Sequence, residues 1–136
     1  MQNNFNDLKK KSKDEILRMN TTVLSWLGDA VYELRIREYL AASGKTHADR
    51  LHRESVRYVK AAAQARVIKS VFDELSEDEQ WLVKRARNRK PKTIPKNADL
   101  LDYKWASALE ALIGYYHLTE QSGKSDKLLD IAIDLL

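Results

Sequence analysis

The chain has 136 residues, of which 43% are hydrophobic and 32% are charged, and it contains no cysteine. This length fits one domain, and this composition is that of a folded protein rather than a disordered chain. The lack of cysteine excludes disulfides, thiol catalysis and cysteine-ligated zinc. The start of the chain lacks the apolar run of a secretory signal, and the longest apolar stretch is too short to cross a bilayer. We therefore expect a cytoplasmic protein that does not enter a membrane.

Basic residues are concentrated in one segment. Over the whole chain there are 24 lysines and arginines against 20 aspartates and glutamates. Residues 84–96, however, read KRARNRKPKTIPK, with seven basic residues and no acidic one. A cluster of one charge sign requires an anionic partner or open solvent. We interpret this segment as a nucleic-acid contact, with a solvated charged loop as the alternative.

Helix-start signals and apolar spacing predict an all-α fold. Three hydroxyl residues, each followed three positions later by a carboxylate, are typical of capping boxes: Ser12/Glu15, Thr46/Asp49 and Ser76/Glu79. Gly44 and Gly123 mark expected helix ends. Apolar residues recur between these signals with helical spacing, and no sustained alternation predicts a strand. We predict a single domain over residues 1–136, with a flexible tail over 1–12 and six helices at 13–19, 22–42, 47–74, 77–89, 98–120 and 125–135.

Two carboxylates lie where helix packing favours an apolar or small residue. Asp29 follows Gly28 within the apolar pattern LSWLGDAVYEL, and Glu110 lies in the most apolar stretch, WASALEALIGYYHL. A buried charge is unfavourable unless it is paired, hydrogen-bonded or bound to a metal. One hard divalent cation, bound by two carboxylates from different helices, would compensate the charge of both acids.

Each acid also has a simpler interpretation. Gly28 could end a short helix and Asp29 could cap the next one. Glu110 could bind a lysine or a tyrosine across a helix interface, or face solvent. The occurrence of both acids beside small residues, in a chain with a polybasic segment, favours phosphodiester chemistry, in which a metal activates water and cations hold the strand.

The two acidic segments resemble the two motifs of the ribonuclease III catalytic domain. LSWLGDAV is similar to the signature helix of that family, and YKWASALEALIGYYHL is similar to its second acidic helix. The resemblance extends over nearly the whole chain and is nearest to the mini-ribonuclease III branch, which lacks a following double-stranded-RNA-binding domain. The segment RARNRKPKTIPKN is also similar to that branch.

This resemblance implies a helical homodimer that cuts double-stranded RNA with Mg²⁺, for which Mn²⁺ is a candidate substitute. It assigns Asp29 and Glu110 as the catalytic and metal-binding residues. The larger enzymes carry further acids where this chain has Thr22, Ser25 and Ser107, which leaves more metal positions to water and phosphate oxygen. The branch implies maturation of 23S ribosomal RNA, with a large-subunit ribosomal protein as a candidate partner.

Further residues are expected around these acids. The expected RNA contacts are Arg85, Arg87, Arg89, Lys90, Lys92 and Lys96. The side chains expected beside the metal ligands are Ser25, Glu33 and Ser107, although a salt bridge to Arg37 is the simpler interpretation of Glu33. Asp49 is a further candidate acid, with the capping box as its simpler role. Two alternatives to a nuclease remain: a non-catalytic RNA-binding or ribosome-associated module of the same fold, and a helical protein-interaction domain.

Overall fold

The computed structural model describes residues 2–91, 93, 96 and 99–136. Within this part of the chain there is no β-strand, so the prediction of an all-α fold is confirmed. One 3-10 helix, Leu8–Lys10, precedes the α-helices, and another, Phe72–Glu74, lies between two of the α-helices. The α-helices are α1 (Lys13–Leu17), α2 (Thr21–Ala41), α3 (Ala48–Val59), α4 (Ala61–Val71), α5 (Glu77–Asn88), α6 (Leu100–Leu118) and α7 (Ser122–Leu135).

The single helix predicted over 47–74 is wrong, because the structure divides it into α3, α4 and a 3-10 turn. Lys60 has an extended backbone, with ψ of 151°, between α3 and α4. The break lets α3 pack against α2 while α4 packs against α6 and α7. Apolar residues keep helical spacing across Lys60, so periodicity alone did not reveal the change of direction.

Two local helix signals also gave wrong predictions. Gly123 does not end a helix: α6 ends at Leu118, Glu120 adopts a positive φ of 56°, and Gly123 lies in the first turn of α7. The Thr46/Asp49 capping box does not form, because α3 begins one residue too late and His47 occupies the N-cap position.

The other signals are confirmed. Both Ser12/Glu15 and Ser76/Glu79 form complete capping boxes, at the starts of α1 and α5. Gly44 follows α2 with a φ of 82°, a left-handed conformation that favours glycine. Within the expected N-terminal tail, Leu8 is partly buried against the hydrophobic core.

Helix α6 lies at the centre of the fold, packed against α2, α4 and α5. Every residue from Ala106 to Tyr116 is buried except Glu110, which is half-buried. Complete burial of a leucine or isoleucine side chain contributes about 1.5–3 kcal/mol, so this apolar helix anchors the core and carries one carboxylate into it. None of the helices in the described residues is long and apolar enough to span a membrane.

Candidate active site

The candidate site forms where α2 and α6 cross at very short range. A Cβ atom added at Gly28 would overlap the main-chain oxygen of Glu110, and one added at Gly114 would overlap that of Leu24. Both positions therefore require glycine so that the two backbones can approach each other. The helix continues through Gly28, so the interpretation of Gly28 as a helix end and Asp29 as a cap is wrong.

Ser25 and Ser107 contribute to the same crossing. The buried Ser25 hydroxyl donates a 2.8 Å hydrogen bond to the main-chain oxygen of Ser107, which is itself buried. Ser25 lies one turn before Asp29 on α2, and Ser107 lies one turn before Glu110 on α6. Ser25 thus has a packing role through its side chain and Ser107 through its main chain, while a place for their side chains beside the metal ligands stays a prediction.

The crossing brings the side chains of Asp29 and Glu110 together. Burial, together with hydrogen bonding and negative charge from Asp29, raises the pKa of Glu110 to about 9. Asp29 itself is exposed. Two adjacent carboxyl groups cannot easily ionise together without a cation, so Glu110 holds a proton at neutral pH. A bound cation would replace that proton.

Gln64 and Arg89 act on Glu110 in the opposite direction. Hydrogen bonding by the Gln64 side chain and the positive charge of Arg89 both tend to lower the Glu110 pKa. Gln64 lies on α4 and is 3% exposed. Sequence reasoning missed Gln64, and its only signal was a polar residue within the apolar run AAAQARVI. The pair of acids thus has a neutral amide on α4 and a cation just after the end of α5.

Tyr32 lies in the core near Glu110. Its buried hydroxyl donates a 3.0 Å hydrogen bond to the main-chain oxygen of Tyr58, at the end of α3. Burial raises the pKa of Tyr32, and the neighbouring Tyr58 and Glu110 raise it further. Tyr32 therefore stays neutral and links α3 to the α2 segment that carries Asp29.

The oxygen donors of Asp29 and Glu110 fit a hard divalent cation. Such a cation would relieve both the repulsion between the carboxylates and the unfavourable burial of Glu110 charge. Across the described ranges, no group of three or more His, Cys, Asp and Glu side chains is arranged to hold a metal. Two acids would therefore leave most coordination positions to water and phosphate oxygen.

The other candidate acids have different surroundings. The Glu33 carboxylate accepts a 2.6 Å hydrogen bond from Arg37, which confirms the predicted salt bridge between them. Asp49 is exposed in the first turn of α3, where the predicted capping box is absent. A contribution of Glu33 to the site stays a prediction.

Arg85, an expected RNA contact, also has a structural role. Its guanidinium donates hydrogen bonds of 3.0 and 2.6 Å to the main-chain oxygens of Leu17 and Met19. It also lies 4.3 Å from the centre of the Trp81 ring. Arg85 thereby fastens α5 to the turn between α1 and α2, a contact that no local pattern could indicate.

The remaining expected RNA contacts lie at the end of α5 and beyond it. Arg87 donates to the side chain of Asn88, and its guanidinium lies 4.8 Å from the Trp105 ring centre. Arg89 donates a 3.3 Å hydrogen bond to the Thr21 hydroxyl. Lys90 and Lys96 are exposed, whereas Lys92 lies outside the described residues.

Comparison with known proteins gives consistent matches. The family model of the Ribonuclease III domain matches residues 22–121. Mini-ribonuclease 3 of Brevibacillus brevis is 43% identical over 123 residues, covering 88% of this chain and 90% of that protein. Mini-ribonuclease 3 of a Thermoanaerobacter species is 38% identical over 125 residues, covering 92% and 88%. A crystal structure of a protein from Fusobacterium nucleatum is similar with a TM-score of 0.79 and 32% identity, covering 86% of this chain and 93% of that one.

The matched residues include both acids and the helix crossing between them. The chain therefore belongs to the ribonuclease III family of endoribonucleases. Within that family, its similarity to the Mini-ribonuclease 3 proteins extends over most of their length, which confirms the resemblance to the mini-ribonuclease III branch.

Proposed function

We propose that this protein hydrolyses double-stranded RNA with Mg²⁺ bound by Asp29 and Glu110. The observation that carries the proposal is the convergence of these acids at one helix crossing, although 81 positions separate them in the sequence. Family membership supplies the reaction class. Mn²⁺ also prefers carboxylate and water oxygen, so we propose it as a substitute.

Water is the proposed nucleophile, and no side chain forms a bond to the RNA. Mg²⁺, when bound, supplies Lewis acidity and lowers the pKa of the attacking water. Asp29 and Glu110 would hold it through their carboxylate oxygens, for which Glu110 would give up its proton to solvent. The bond between phosphorus and the 3′-oxygen breaks as the bond from phosphorus to water oxygen forms. The attacking water loses one proton to solvent and the departing 3′-oxygen takes up one, so that the products are a 5′-phosphate and a 3′-hydroxyl.

The basic residues at the end of α5 and in the following segment are proposed to hold the RNA backbone. Duplex RNA is recognised mainly through its shape, phosphates and 2′-hydroxyls, which suits a surface of cations. The proposed contacts are Arg85, Arg87, Arg89, Lys90, Lys92 and Lys96. Arg89 has the most direct structural support, because its charge acts on Glu110. Arg85 supports this surface by holding the turn before α2.

A homodimer is proposed because one acid pair can cut only one strand of a duplex. Helix α2 presents an exposed apolar stripe formed by Val23, Trp26, Ala30 and Leu34, with Trp26 75% and Leu34 59% exposed. Large apolar patches of this kind mark interaction sites. A second copy packed on this stripe would lie beside Asp29, which immediately precedes Ala30. Two sites would then face the two strands.

The precursor of 23S ribosomal RNA is the proposed natural substrate, and a large-subunit ribosomal protein is the proposed further partner. The support is the resemblance to the mini-ribonuclease III branch. The cytoplasm is the proposed location, since that is where this RNA would be processed.

The direct test is cleavage of a defined RNA stem by the purified protein, with Mg²⁺ and without it. Wild-type protein should cut only with Mg²⁺, and Asp29→Asn should bind the stem without cutting it. Cutting by Asp29→Asn at the wild-type rate would contradict the proposed metal site. Binding without any cutting by the wild-type protein would instead favour the non-catalytic RNA-binding module.

A further inference from the structure

A second feature beside the acids is an open recess of about 700 Å³ between α5 and the start of α2. We call it the cationic recess. Asn20 and Thr22 line it from the α2 side, and Trp81, Lys84 and Arg89 line it from the α5 side. The described residues that line it include no acidic side chain. Its chemistry therefore fits an anion.

The walls of the cationic recess are held in place by contacts already present. Arg85 joins α5 to the turn before α2 through its hydrogen bonds to Leu17 and Met19. The Asn20 side-chain oxygen accepts a 2.7 Å hydrogen bond from the main-chain N–H of Thr22, which leaves the Asn20 amide nitrogen as a donor. A recess with fixed walls needs little reorganisation when an anion binds.

Arg89 connects the cationic recess with the acid pair. It donates to the Thr21 hydroxyl at the recess, and its charge acts on Glu110. Thr22 precedes Asp29 by seven residues, which corresponds to about 10 Å along α2. Successive phosphates along one strand are separated in space by more than the roughly 3.4 Å of axial rise per nucleotide in B-form DNA. A strand that passes from the acids to the recess would therefore advance by at most about three nucleotides.

We propose that the cationic recess binds one backbone phosphate of the RNA, one to three nucleotides from the bond that is cut. This inference rests on the proposed function and adds a fixed second point of contact to it. The acid pair and the cationic recess would then hold the same RNA strand at two places. These two contacts determine which phosphodiester bond lies at the acids. Lys84 and Arg89 supply the charge, and the Thr22 hydroxyl and the Asn20 amide supply neutral donors.

Lys84 is the residue on which the proposal is best tested. Its ammonium lies 5.7 Å from the Phe72 ring centre, an exposed contact whose contribution is only about 0.5–1 kcal/mol. The side chain is exposed and can turn towards a phosphate in the recess. Lys69 offers a matched control, because its ammonium lies 5.8 Å from the Trp105 ring centre and its side chain does not line the recess.

The experiment measures binding of RNA duplexes that each carry one neutral methylphosphonate linkage, at successive positions around the cleaved bond. Binding is measured without divalent metal, so that no RNA is cut. We expect one linkage within about three nucleotides of the cleaved bond to weaken wild-type binding about tenfold, as loss of one charged contact does. The same linkage should weaken the binding of Lys84→Ala by a clearly smaller factor, because Arg89 alone then supplies the charge, whereas Lys69→Ala should keep the full penalty.

If no linkage within three nucleotides of the cleaved bond has an effect on binding that depends on Lys84, the proposed phosphate site is wrong. The salt dependence of binding gives a second measurement, because Lys84→Ala should lower its slope by about one unit. A further outcome is that wild-type protein cuts the unmodified duplex while Asp29→Asn does not, with Lys84→Ala and wild type equally sensitive to every linkage. In that case the proposed function stands and the proposed phosphate site in the recess is wrong. If wild-type protein neither binds nor cuts the duplex, both fail.

Discussion

Glu110 is the only charged residue between Ala106 and Tyr116, in the helix at the centre of the core. Its pKa is raised to about 9 in the folded protein, against a usual value near 4.5. The folded state therefore keeps a proton that the unfolded chain loses above about pH 4.5. The stability that this proton contributes is fully present below pH 4.5 and is lost as the pH rises towards 9.

Replacement of this carboxyl group by a neutral amide should remove that pH dependence. In the absence of divalent metal, we expect the melting temperature of wild-type protein to fall between about pH 5 and about pH 9 more steeply than that of Glu110→Gln. Circular dichroism melts of both proteins across this range give the comparison. Parallel curves would contradict the environment described for Glu110. Mg²⁺ at about pH 8 should raise the wild-type melting temperature and leave that of Glu110→Gln nearly unchanged.

Sequence alone identified residues whose type conflicts with their local pattern. Asp29 and Glu110 stand out because each is an acid in an apolar helix, and the family motifs reinforce them. Gln64 and Tyr32 could not be identified in this way, because their positions near Glu110 depend on how α2, α3 and α4 pack. Arg85 was predicted as an RNA contact from its charge alone. Its hydrogen bonds to Leu17 and Met19 join segments distant in sequence, so no local pattern indicated them.

At the scale of the helices, the glycine contact between α2 and α6 sets the distance between the two acids. We expect Gly28→Ala to force the helices apart, because the new methyl group would overlap the main-chain oxygen of Glu110. Overpacking of this kind typically lowers stability by about 1–3 kcal/mol. It should also slow cleavage, since small displacements of reacting groups are costly. Urea unfolding and single-turnover cleavage measure the two effects.

Gly123→Ala provides a matched control for that change. Gly123 also lies in a helix, but an added Cβ atom there has no neighbour within 4 Å in the described structure. Alanine is favoured over glycine in a helix by up to about 1 kcal/mol, so this variant should be at least as stable as wild type and cut normally. Equal behaviour of the two variants would contradict the tight helix crossing.

Local chemistry explains which helices could be predicted. The complete capping boxes at Ser12 and Ser76 are satisfied within four residues, so the sequence contains all that determines them. The break at Lys60 and the late start of α3 at Ala48 depend instead on partners distant in sequence. The α3–α4 turn forms because each helix packs on different neighbours. The spacing of apolar residues along the sequence does not indicate which neighbours these are.

At the scale of the whole molecule, the proposed dimer determines whether one or both strands are cut. We expect wild-type protein to sediment as a dimer, and Trp26→Ser to shift the equilibrium to monomer because Trp26 is 75% exposed on the apolar stripe. The variant should then nick one strand more often than it cuts both. Val56→Ser removes another exposed apolar side chain, on α3, and should remain dimeric.

Sedimentation at equilibrium measures the mass of all three proteins. A monomeric wild-type protein that still cuts both strands would contradict the homodimer. An unchanged dimer in Trp26→Ser would show that a different face forms the contact.

The most direct measurement is the single-turnover cleavage rate of an RNA duplex with saturating Mg²⁺, compared among wild type, Asp29→Asn, Glu110→Gln and the double variant. Each single change should slow cleavage by more than the roughly 100-fold typical of residues that only support a metal ligand. Because both acids are proposed to hold the same cation, the double variant should be little slower than the slower single variant. Independent losses that multiply in the double variant, or a single variant that keeps the wild-type rate, would contradict a shared metal site.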